Sequence, residues 1–191
     1  MLATLILLLS SVCILHQATG YSEGAPDNAC LSLRPEHLKS EQKEGFPYEI
    51  ILGTKQLECS DSPPIINFTL KGLKGEVFKG FMIQARMGTK TVGTFEPEPI
   101  DYMMMDCPGD RELVDEEGLE VWCDKIVHTE PGKNTATHYK AEKRNSMTFY
   151  WKPPANTTGD IYFHYTVVKD FDTFWVNQQS EPLTILESRK R

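Results

Sequence analysis

Residues 161–168, IYFHYTVV, constrain the fold of this chain more than any other stretch. Ile161, Phe163, Tyr165 and Val167 fall on one side of an extended strand, and Tyr162, His164 and Thr166 fall on the other. One face is core and the other is at least partly wet, so a second layer has to cover the apolar side. The runs 48–52, 65–70, 77–86, 91–95, 100–106, 119–127, 147–151 and 183–186 are also β-favouring, and clusters of Gly, Pro, Asn and Asp separate them. Such spacing is the signature of an antiparallel sandwich or barrel. No segment keeps apolar residues at helical spacing for three turns, and twelve prolines punctuate the chain. The expected fold class is all-β.

The first twenty residues contain no Asp, Glu, Lys or Arg, and their apolar run from Leu5 to Leu15 is short for a bilayer span. They read as a secretory signal peptide, with cleavage after Gly20 because Ala18 and Gly20 place small residues at the inspected positions. The missing basic residue near Met1 departs from the usual pattern. Residues 21–191 then form one domain, expected to be secreted and monomeric. No second apolar segment of spanning length follows, and the ending ESRKR lacks the hydrophobic tail of a GPI signal. The formal net charge of −7 argues against nucleic acid as a partner and weakens simple attraction to anionic membranes.

Cys13 leaves with the leader, so Cys30, Cys59, Cys107 and Cys123 remain to form two disulfides, with three pairings open. No C-x-x-C pair suggests zinc. Asn67 and Asn156 open N-x-T sequons and are candidate glycosylation sites on exposed backbone. The stretch 106–120 is rich in carboxylates but lacks the ligand order of a calcium loop, so it reads as a solvated acidic loop.

A search for catalytic frames points away from an enzyme. There is no G-x-S-x-G, His37, His128, His138 and His164 form no H-E-x-x-H, and the glycines at 72, 75 and 80 precede no GKS or GKT. Neither a metal nor another cofactor is expected. The segment DFDTFW, 170–175, has a composition suited to sugars. Asp170 and Asp172 would accept hydroxyl donors while aromatic rings such as Trp175 cover apolar sugar faces. The competing role for Trp175 is to fill the core.

In order and approximate spacing, GYSEGAPDNAC, PYEI, FKGFMIQAR, VGTF, a cysteine before IVHT, FYWKPP and GDIYFHYTVV resemble a reeler domain over nearly the whole mature chain. The resemblance implies an immunoglobulin-like antiparallel β-sandwich. It also implies the pairings Cys30–Cys107 and Cys59–Cys123, although Cys123 lies close to the VHT segment and competes with Cys107 for Cys30. In an extended FKGFMIQAR, Lys79, Phe81, Ile83 and Ala85 share one face, and Phe81 and Ile83 of that set go to the core. Phe78, Gly80, Met82, Gln84 and Arg86 share the other, whose wet end is a candidate groove with Arg86 as either ligand contact or loop brace. With no further domain expected after this one, the similarity points to the small secreted defence proteins of invertebrates and to a microbial surface glycan or lipid as partner. The alternative is an extracellular matrix or adhesion module with a protein or proteoglycan partner. An electron-transfer role would need a haem domain.

Overall fold

The computed structural model describes residues 23–37, 39–97, 101–107 and 133–188. The leader, the run 119–127, Cys123 and most of the acidic stretch lie outside the described residues. The described part is a β-sandwich. Its strands are β1 (Tyr48–Leu52), β2 (Gln56–Glu58), β3 (Ile66–Gly72), β4 (Gly80–Met87), β5 (Lys90–Thr91), β6 (Thr94–Phe95), β7 (Tyr102–Met105), β8 (Thr135–His138), β9 (Ser146–Lys152), β10 (Gly159–Asp170), β11 (Thr173–Gln179) and β12 (Leu183–Leu186). Two 3-10 turns, Asp27–Ala29 and Leu73–Gly75, are the only helical elements among the described residues.

The smaller sheet runs β1-β3-β9-β6, and the larger runs β2-β12-β10-β4-β8-β7, with β11 also on β10 and β5 on β4. Among the described residues the ladders are antiparallel, as expected, apart from the short edge pairing of β2 with β12, which is parallel. The twelve-residue β10 makes this branching possible. Gly159–Ile161 pair with β12, His164–Asp170 pair with β11, and the opposite edge pairs with β4 along Tyr162–Val168.

Alternation supplies the core, as the 161–168 pattern requires. Ile161, Phe163, Tyr165 and Val167 point inward with Phe81, Ile83 and Ala85 of β4, and meet Phe68, Leu70, Phe149 and Trp151 of the smaller sheet. Phe68 lies 4.1 Å from Phe163 and Phe81 lies 5.1 Å from Phe149, centroid to centroid, so the two layers interlock through rings. Each such ring or branched side chain contributes roughly 2 kcal/mol when fully buried. One expectation fails at the start of β4: Phe78 is buried in the same core as Phe81, because the strand begins only at Gly80 and the chain bends before it. The expected strand 91–95 is two strands in different sheets. Gly93 turns between them at φ +68°, and Trp151 packs where its side chain would stand, so only glycine makes this crossing without strain.

Candidate functional site

The outer face of the larger sheet is not open to water. Met82 and Gln84 of β4, Thr135 and Thr137 of β8 and Thr166 of β10 all point outward, and all are buried. Their cover is the N-terminal strap, residues 23–37, tied down by the Cys30–Cys107 disulfide with a Cα separation of 5.3 Å. The wet groove expected beside Gln84 is therefore filled by the chain's own beginning.

Hydrogen bonds explain how a polar sheet face tolerates this burial. Gln84 Nε2 donates to the Cys30 carbonyl and to Thr135 Oγ1, both at 3.0 Å. Thr166 Oγ1 donates to the Leu33 carbonyl at 2.6 Å, and Thr137 Oγ1 accepts the Ala25 amide at 2.9 Å. The strap has no strand partner for its carbonyls, and side chains of the sheet take that place. Arg86 completes the set. Its Nε donates to Gln84 Oε1 at 2.9 Å and its Nη2 to the Leu31 carbonyl at 3.1 Å, so the guanidinium braces the strap.

Between strap and sheet lies a cavity of about 170 Å³. Ala25, Pro26, Ala29 and Leu33 of the strap face Met82, Val168 and the Phe171 ring across it. Glu36, His37, Lys79, His138 and Asp170 supply its polar part. Burial holds the His37 imidazole below its usual range, against the opposing pull of the Phe171 carbonyl and of Asp170 and Asp172. The ring is therefore neutral at physiological pH. It packs against Phe171 at 4.8 Å and edge-on against Phe174 at 4.9 Å.

The turn singled out in the sequence thus sits at this cavity, but its parts separate. Asp170 and Phe171 line it, and Asp172 is exposed beside them, its amide donating to Asp170 Oδ1 at 3.1 Å. Phe174 is fully buried, and Trp175, 5% exposed, packs against Tyr48 and Phe46 in the core while Nε1 donates to the Glu44 carbonyl. Neither ring offers a face to a sugar, so the ligand contact expected of Trp175 is corrected to a core role. Arg86 is not a lining residue of the cavity. His37, Lys79 and the strap residues went unmarked in the sequence, because nothing local in a Pro- and Gly-containing lead-in says which sheet face it will cover.

Cys59 is also disulfide-bonded, and its expected partner Cys123 lies outside the described residues. Asn67 is exposed on the outer face of the smaller sheet. Asn156 is half-buried with φ +56°, and Thr157, the middle residue of its sequon, donates its hydroxyl to the Ala155 carbonyl. Among the described residues no helix is long and apolar enough to cross a membrane. No group of His, Cys, Asp and Glu among them is arranged to hold a metal ion.

These features define a class: a disulfide-tied β-sandwich that carries an apolar cavity under a strap. The profile of the reeler domain matches residues 28–118 and 123–191, and the chain belongs to the reeler family. "Putative defense protein 3" of Antheraea mylitta is 28% identical over 183 residues, covering 95% of this chain and 97% of that protein. "Defense protein l(2)34Fc" of Drosophila melanogaster is 30% identical over 184 residues, covering 94% and 98%. The fold is that of the human F-spondin reeler domain, with a TM-score of 0.54 at 14% identity, over 82% of this chain and 97% of that one. The protein is a defence-related reeler protein.

Proposed function

We propose that this reeler protein is secreted and recognises a microbial surface glycan or lipid in antimicrobial defence, with the strap cavity and its carboxylate-bearing turn as the contact site. The observation that carries the reading is the cavity itself: apolar walls that suit a lipid tail, with Asp170 in the lining and Asp172 beside it to accept hydroxyl donors. The relatives' names support the defence role. Secretion accords with the Cys30–Cys107 disulfide, which persists in an oxidising compartment. In the same reading the leader is removed after Gly20, Asn67 and Asn156 carry glycans, and the protein acts as a monomer.

Binding of the purified protein to bacterial cells, followed by sedimentation, tests the site. Asp170→Ala combined with Asp172→Ala should weaken binding while leaving the unfolding midpoint nearly unchanged. Full binding by this double variant would remove the turn from the contact surface.

A further inference from the structure

We propose that the cavity beneath the strap binds a single-chain amphiphile with an uncharged, hydroxylated head, of the monoacylglycerol kind. This rests on reading the cavity as the recognition site, and it names the part of a microbial lipid that would enter.

Volume limits the tail. An apolar cavity of about 150 Å³ holds one benzene ring. At about 170 Å³, the space under the strap accepts the end of one alkyl chain and excludes a bundle of several. Its walls suit such a chain: Ala29 and Leu33 from the strap, Met82 and Val168 from the sheet, and Phe171 from the turn. The small side chains of Ala25 and Ala29 help to hold the space open, and the Cys30–Cys107 bridge fixes the strap above it.

Charge and hydrogen bonding select the head. The lining carries two carboxylates, Glu36 and Asp170, against one ammonium, Lys79, while the nearby Asp172 is paired with Lys39 at 3.9 Å, which leaves one net negative charge around the cavity. An anionic head would meet net repulsion in surroundings of reduced dielectric. A hydroxyl both donates and accepts, so it can donate to Asp170 and accept from Lys79. One further group asks for a partner. His37 Nδ1 is buried without a hydrogen bond, one of two such side-chain atoms among the described residues, and the other, Trp151 Nε1, belongs to the core on the far side of the sheet. Buried polar atoms of this kind are rare, and this one belongs to a side chain that lines the cavity.

The test is calorimetric titration of the disulfide-intact protein with monooctanoylglycerol, octanoate and glycerol at pH 7.5. Monooctanoylglycerol should bind with one-to-one stoichiometry, octanoate at least tenfold more weakly, and glycerol not at all. Val168→Phe, which fills the cavity from the sheet side, should abolish binding. Ala25→Phe does the same from the strap if the first variant fails to fold. Asp170→Asn keeps an oxygen for the Asp172 amide but removes the charge, and should narrow the gap between the two octanoyl probes. Absence of saturable monooctanoylglycerol binding overturns the inference, as does undiminished binding by both filled variants or a preference for octanoate. A Val168→Phe protein that loses monooctanoylglycerol yet sediments with bacteria like the parent supports this site and instead overturns its part in surface recognition.

Discussion

Gln84→Leu is the most direct test of the strap as a structural layer. In a strand whose outer face met water, exchanging this side chain would change stability by no more than about 0.5 kcal/mol. Here Gln84 is fully buried, gives two hydrogen bonds at 3.0 Å and accepts two from Arg86 at 2.9 and 2.6 Å. Leucine fills a similar volume, so the loss is mainly polar. The bonds from the guanidinium are charge-assisted, worth about 1.5–3 kcal/mol, and the Cys30 carbonyl loses its best donor under the strap. A destabilisation of about 2–4 kcal/mol follows, since Arg86 keeps the Leu31 carbonyl and relaxes toward it. For a domain of this size that lowers the melting temperature by roughly 4–16 °C. Equilibrium urea unfolding under non-reducing conditions measures it, with Gln56→Leu on the exposed edge strand β2 as the control, expected within about 0.5 kcal/mol of the parent. If the two variants are equally stable, the strap is not held through Gln84 and the description of a buried polar layer is wrong.

Replacing both Cys30 and Cys107 by serine opens a loop of 77 residues and should cost about 4.5 kcal/mol in the chain-entropy account, read from the same urea curves. Trp175→Ala should cost about 3–5 kcal/mol because it empties part of the core, whereas Asp172→Ala should stay within about 0.5 kcal/mol; similar losses for both would contradict the separation of the turn into core and surface. Burial is the main cause lowering both His37 and His164 below their unfolded value of about 6.5, so below that pH the unfolded chain binds more protons than the folded one. Stability should therefore be level above about pH 7 and fall on acidification through 6.5, with a shallower fall in the His37→Asn, His164→Gln double variant. Peptide mapping after non-reducing digestion should join Cys30 to Cys107 and Cys59 to Cys123; a Cys30–Cys123 peptide would overturn both assignments.

Period-two patterning settled much of this molecule from sequence. The inward set of 161–168 and the set Phe81, Ile83 and Ala85 were legible because a strand's side chains alternate whatever it packs against, and 48–52 and 183–186 match β1 and β12 residue for residue. The short β2, the Thr-rich β8 and β11 escaped, since a few residues with little apolar contrast carry no period and pair only because neighbours present an edge. Asp170 and Asp172 were recognisable as a polar turn, but their cavity was not, because its other side comes from a strap far away in sequence. What covers the outer face was likewise decided by tertiary structure. Gln84, Thr137 and Thr166 look solvated along the chain, and become interior only when the Cys30–Cys107 bridge brings strap carbonyls and amides within bonding distance. Alternation tells which residues share a face; whether water or another part of the chain meets the polar face depends on long-range closure, which a local pattern does not encode.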